Sequence, residues 1–142
     1  MTRYLRRFYV AWVGIIAAAL VVQFYLAGYG VFAFAGLPPF DAHRALGDLI
    51  GIAILLALIA AFAARVPWRV TAITAALFVL MVIQASLAFA SIQGIAALHV
   101  VNGVLIFVVT LYLFWEARRA LWPSEAPAKE TLDLAGTKAP HA

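Results

Sequence analysis

Read along the chain, apolar residues fall into four long runs, and polar residues gather at the ends of those runs. The first extends from Phe8 to about Tyr29, the second from Phe40 or Asp41 to about Ala64, the third from Val70 to about Ser91 and the fourth from about Ile95 to Ala117. Each is close to or above the ~20 residues that carry an α-helix across a bilayer core at about 1.5 Å per residue. The breaks hold residues that end helices. Gly28, Gly30, Gly36, Pro38 and Pro39 mark a first loop, Arg65-Val66-Pro67-Trp68-Arg69 a tight basic turn, and Gln93 with Gly94 a very short loop. Pro39 beside the start of the second helix and Asp41 in its first turn suit a helix N-terminus. Pro123 stops the fourth helix.

The expected fold is therefore all-α: a four-helix transmembrane antiparallel bundle over residues 1–122. Residues 123–142, rich in Pro, Ala, Glu, Lys and Thr without apolar periodicity, read as a disordered cytoplasmic tail. The first run follows a basic segment, as in a secretory signal, and Ala33-Phe34-Ala35 imitates a cleavage site. It exceeds the ~7–15 apolar residues of such signals, so it is read as part of the mature fold.

Composition strengthens the membrane reading. Hydrophobic residues make up 67% of the chain and charged ones 11%, against roughly 25% charged in soluble domains. A single small domain cannot hide that much apolar surface from water, so the first partner is the lipid bilayer. The net charge of +4 does not point to nucleic acid, because the bases sit at the ends of the runs. Arg3, Arg6, Arg7, Arg65, Arg69, Arg118, Arg119, Lys129 and Lys138 fall on one side of four spans and Arg44 alone on the other. The positive-inside rule then gives a multi-pass protein of the inner (cytoplasmic) membrane with both termini cytoplasmic. Tyr112, Trp115 and Trp122 join the terminal arginines as an interface belt. The absence of cysteine excludes disulfides, iron–sulfur clusters, thiolate ligands and covalent c-type haem.

Chemistry concentrates at the opposite ends of the helices. Phe40-Asp41-Ala42-His43-Arg44-Ala45-Leu46-Gly47-Asp48 opens the second helix, and His99-Val100-Val101-Asn102-Gly103 lies near the start of the fourth. Both read His-x-x-x-Gly, and a Gln-x-x-Leu-Ala precedes each, at Gln23 and at Gln84. The pattern predicts two repeated helical hairpins. His43 lies roughly 22 residues before the inner marker Arg65 and His99 roughly 19 before Arg118, which places the imidazoles within ~5 Å of the same depth. Helices two and four lie on a diagonal of an up-down-up-down bundle, so the two rings can face each other across the core.

Histidines inside a membrane usually face a partner, a cavity or a ligand. A matched pair suits one planar cofactor with two axial ligands, and haem b held by His43 and His99 is the leading expectation. Gly47 and Gly103, one turn beyond each histidine, leave room for a macrocycle edge or a neighbouring helix. Gln23 and Gln84, also matched in depth, would hydrogen-bond an axial histidine or the cofactor edge, or else serve as interhelical contacts. Arg44 would pair with a propionate, or with Asp48 one turn on. Zinc is disfavoured, since Asp41 and Asp48 are the only acids nearby to complete its ligand set. His141 reads as a solvated tail residue.

Gln23-x-x-Leu-Ala-Gly, His43-Arg44-x-Leu-Gly47, Gln84 and His99 together resemble one half of a haem A synthase. The chain is also similar to a family of small, uncharacterised four-helix membrane proteins of bacteria. The first resemblance implies a four-helix half with a histidine pair on its second and fourth helices. It does not carry the synthase activity. The glutamate that the family has three residues before its first histidine is here Phe40, the outer-loop cysteines are missing and there is no second histidine pair. The function expected is haem binding with an electron-transfer or haem-holding role, served by a redox or membrane-protein partner. The alternative is a cofactor-free partner or scaffold subunit whose histidines are only hydrogen-bonded.

Overall fold

The computed structural model describes residues 2–32 and 40–122. The loop around Pro38 and the tail over 123–142 lie outside them. The four apolar runs form four helices, α1 (Thr2–Phe32), α2 (Phe40–Ala63), α3 (Trp68–Ala88) and α4 (Gln93–Leu121). All four are long and apolar enough to cross a membrane. α1 and α4 run past the expected ends into their arginine clusters, because Arg is a good helix former and its long stem reaches water from a lipid-facing helix. At 31 residues, α1 is ~46 Å long, well beyond a hydrocarbon core of about 30 Å.

The connection between α3 and α4 falls earlier than expected. It occupies Phe89–Ile92, and Gln93 and Gly94 already belong to α4. Two backbone bonds onto the Ile92 carbonyl, from Ile95 and Ala96, start that helix without a side-chain cap. The basic turn after α2 is a Schellman motif. Val66 N–H donates to the Ala61 carbonyl at 3.1 Å and Arg65 N–H to that of Phe62 at 3.1 Å. This closes α2 with Arg65 at a positive φ of 48°, a position that normally takes glycine.

Each helix packs on two neighbours. α1 packs closely on α2 and α4, α3 packs closely on α2 and α4, and the backbones of the pairs α1/α3 and α2/α4 stand apart, so only side chains reach across. Arg6 donates to the Arg65 carbonyl, Trp12 Nε1 to the Ala53 carbonyl and Gln23 Nε2 to the His43 carbonyl. These three bonds tie successive levels of α1 to receding levels of α2. Arg69, at the start of α3, reaches Tyr112 and Glu116 near the end of α4. Gly14 allows the close approach of α1 and α4, since a Cβ there would lie 3.2 Å from the Phe114 ring.

The surface, not the core, departs from that of a protein in water. Ile15, Val22, Ile52, Ile59, Val82 and Val108 are exposed, whereas Thr71, Thr74, Asn102 and Thr110 are buried. Thr74 donates its single proton to the Val70 carbonyl. The fully buried Tyr9 hydroxyl must therefore donate to Thr74 Oγ1 at 2.6 Å. Apolar outside, polar groups paired inside: this surface fits an integral, multi-pass membrane protein.

Two substitutions test these packing arguments. Tyr9→Phe should cost about 0.6 kcal/mol, the usual worth of an interhelical hydrogen bond in a membrane. Arg65→Gly should instead stabilise by roughly 0.5–1 kcal/mol by relieving the left-handed backbone. Reversible unfolding in mixed micelles reads both; a stabilising Tyr9→Phe, or a destabilising Arg65→Gly, would contradict the geometry.

Candidate functional site

The halves of all four helices remote from the arginine-rich end border one cavity of about 510 Å³ that takes in His43, His99, Gln23, Gln84, Gly47, Gly103 and Arg44. All seven residues singled out in the sequence thus border the same space. The two imidazole ring centres are 6.3 Å apart at 64°. They come from α2 and α4, which do not otherwise meet, so the side chains alone span the diagonal.

Each imidazole is held the same way. His43 Nδ1 lies 3.3 Å from the Gln23 carbonyl oxygen and His99 Nδ1 lies 3.2 Å from that of Gln84. A carbonyl only accepts, so Nδ1 carries the proton in both rings, and the Nε2 lone pairs point elsewhere. The partner glutamine closes each pair. Gln84 Nε2 donates to His99 Nε2 at 3.1 Å. Gln23 Nε2 donates to the His43 carbonyl at 2.8 Å and approaches His43 Nε2 at 3.4 Å.

The glycines explain themselves in this arrangement. A Cβ at residue 47 would lie 3.2 Å from Gln23 Nε2, and one at residue 103 would lie 3.3 Å from Gln84 Nε2. Of the two uses expected for this space, it is the neighbouring helix that fills it: each glycine seats the amide of the glutamine opposite. The repeated His-x-x-x-Gly and Gln are thus one recurring unit, an imidazole on one helix latched to a glutamine on the preceding helix.

The two units differ in one respect. Asn102 donates to Gln84 Oε1 at 2.7 Å and to the Leu80 carbonyl at 3.0 Å. Three residues after His43 the corresponding position is Leu46, which has no donor. Gln23 Oε1 is accordingly a buried acceptor without a partner among the described residues. Arg44 lines the cavity beside Asp48, but the one ion pair among the described residues is Arg69–Glu116. The pairing of Arg44 with Asp48 is not formed.

Sequence reasoning missed three neighbours. Phe40, at the position of the synthase glutamate, lies edge-on to His43 with ring centres 6.3 Å apart. It packs so tightly over Gly30 that a Cβ there would come within 2.5 Å of the ring. Met81 sits nearer than its place in the sequence suggests, since it lines the same cavity against Gly51. Phe24 forms the far wall, stacked edge-on with Phe107 at 5.6 Å.

Two nitrogen ligands do not make a general metal centre, and no group of three or more His, Cys, Asp or Glu side chains is gathered among the described residues. Two imidazoles bonded to one central ion at about 2.0–2.1 Å, with each ring centre roughly 1 Å behind its nitrogen, would stand about 6 Å apart. The observed 6.3 Å is near that separation, but the rings meet edge-on and each Nε2 faces a glutamine amide, not the other ring. The Nδ1–H to carbonyl bond is the usual support of a metal-ligating histidine. The apolar walls of Phe24, Ile50, Met81 and Ile106 suit a flat, greasy macrocycle better than a hydrated ion. Ligation would require the Gln84 and Gln23 amides to leave Nε2.

The tautomer follows from backbone geometry and should survive loss of either glutamine side chain. In Gln23→Ala and Gln84→Ala, ¹⁵N spectra of the imidazoles at neutral pH should still show the proton on Nδ1. A switch to the Nε2–H tautomer would show that the amides, not the carbonyls, set the rings. Asn102→Leu, which makes the second unit like the first, should loosen the Gln84 amide and cost about 1 kcal/mol.

A model of a protein family of unknown function, DUF6220, matches residues 23–92. The match opens at Gln23 and closes in the turn before α4, so it spans His43, Arg44, Gly47 and Gln84 and leaves out His99 and Gly103. No curated protein and no solved structure matches the chain. The chain is therefore similar to a family without an assigned role, in keeping with the small uncharacterised family expected, and no match joins it to the haem A synthases.

Proposed function

We propose that this membrane protein binds one b-type haem between His43 and His99 and serves to carry electrons or to hold haem within the bilayer. The observation that carries the reading is the pair of imidazoles from opposed helices, 6.3 Å between centres, each with Nδ1–H engaged by a carbonyl and Nε2 against a glutamine amide that a ligand would have to displace. In this reading His43 and His99 would hold the haem iron. Gln23 and Gln84 fix the rings through their carbonyls, Gly47 and Gly103 seat the glutamines, and Arg44 at the cavity rim receives a propionate. Bound haem supplies a one-electron redox couple. The chain supplies two strong axial ligands and a dry, apolar wall that excludes water and competing ligands. Phe40 in place of a carboxylate leaves no acid or base three residues before His43, so no synthase reaction is proposed.

The same reading takes the bundle as antiparallel and as two repeated hairpins. The recurring His–Gln–Gly unit and the ties from Arg6 to Arg65 and from Arg69 to Glu116 support it. With the arginine-rich ends inside, both termini are cytoplasmic and the cavity opens toward the outer leaflet.

A second reading rests on a specific observation. Gln84 already satisfies His99 Nε2 at 3.1 Å, so a cofactor-free scaffold or partner subunit would leave no polar group stranded in the second hairpin. The two readings part on colour. Purified after expression with ample haem, the wild type should show a low-spin Soret and α/β spectrum, and His43→Ala and His99→Ala should each abolish it while His141→Ala changes nothing. A colourless wild type, or alanine variants that keep its spectrum, would leave the scaffold reading in place.

Topology is tested separately. Reporter fusions at Ala126 should report the cytoplasm and fusions at Leu37 the opposite side. An outside signal at Ala126 would invert the orientation.

A further inference from the structure

At the arginine-rich end, α1 and α4 border a cleft of about 830 Å³ lined by Val10, Ala11, Phe114, Trp115, Arg118, Arg119 and Trp122. Its composition is divided. Val10, Ala11 and Phe114 form an apolar wall that continues into the membrane span. The mouth is cationic. Arg7 lies over the Trp122 ring at 5.5 Å and Arg119 over the Trp115 ring at 4.5 Å. Indole faces hold those two guanidinium planes in place and leave their N–H edges available, which is how Arg presents itself to a phosphate.

Among the described residues no acid lines this cleft. Glu116, the one carboxylate at this end among the described residues, is turned away to Arg69 at 3.3 Å. Arg118 and Arg119 thus line the cleft and Arg7 lies beside it over Trp122, with no carboxylate of the described residues paired to them. A dispersed interface belt would explain basic and aromatic residues here, but not a walled cleft in which two of the guanidinium groups are held by aromatic rings. Basic pockets between membrane helices suit anionic headgroups. Because the apolar wall runs into the span, the occupant must carry acyl chain as well as phosphate.

We infer that this cleft binds one anionic phospholipid, with its phosphate on Arg7, Arg118 and Arg119 and an acyl chain along Val10, Ala11 and Phe114. The site is independent of the histidine cavity, which lies at the other ends of the helices, and it stands whether or not haem is bound there.

The full chain in phosphatidylcholine nanodiscs doped with phosphatidylglycerol, released into native mass spectrometry, provides the test. The wild type should retain one phosphatidylglycerol in preference to phosphatidylcholine. Arg118→Gln with Arg119→Gln should weaken retention by roughly fivefold per guanidinium removed, while Arg65→Gln, a charge at the same end outside the cleft, should leave it unchanged. Ala11→Phe fills the cleft with every arginine intact and should also lower retention, so the inference does not depend on the charge variants folding. Equal retention of the two lipids, an Arg65→Gln effect as large as that of the double variant, or retention unaffected by Ala11→Phe would overturn it. So would binding that arises only after residues 124–142 are deleted, because the acids of the tail would then be the occupant.

Discussion

A polar group inside hydrocarbon must find its partner within the protein, and the two imidazoles are where this chain meets that demand most sharply. A helical carbonyl already accepts one bond from its own helix but retains a second lone pair. His43 and His99 use that spare capacity on Gln23 and Gln84. Each bond joins two successive helices at the end where their loop begins, so the same contact that satisfies the imidazole also fixes the hairpin. The glutamine amide returns to the histidine, and the glycine one turn on gives it a place to lie. Remove any member and the others lose either a partner or a seat.

The opposite end of the bundle is held by different forces because it meets water and headgroups. There the ties are an ion pair, cation–π contacts and a Schellman turn, all of which tolerate solvent. Between the two ends the helices are joined by close apolar packing and by single buried bonds such as Tyr9 to Thr74. This division puts the chemically reactive groups where the backbone is latched and puts the charges where the bilayer requires them.

The number and approximate reach of the helices could be read from the apolar runs, because a bilayer demands length and hydropathy and little else. Where each helix turns its faces could not. Ile54 is fully buried and Ile52 exposed, yet core and lipid are equally apolar, so the sequence shows no period to distinguish them. Tyr9 and Thr74 carry no mark in the sequence for this reason, and α3 ends before its apolar run does, because Phe89 and Ala90 look like further membrane span. Within the candidate site the rare polar residues were legible, since each one in an apolar run must have a reason. The purpose of Gly47 and Gly103 was only half legible: spacing showed that room was needed, but only the packed neighbours show that a glutamine amide takes it.

The two halves of the site are alike in sequence and unequal in strength. Gln84 is pinned from behind by Asn102 and holds His99 Nε2 at 3.1 Å. Gln23 has no such support, its Oε1 is unpartnered, and its contact with His43 Nε2 stretches to 3.4 Å. Freeing a lone pair therefore costs less at His43 than at His99. For the proposed haem site this inequality sets an order: the first imidazole is available before the second, and the group that arrives must gain enough from it, and from the apolar wall, to displace an amide that Asn102 holds in place. Leu46 in place of a second asparagine is what leaves Gln23 Oε1 without a partner among the described residues.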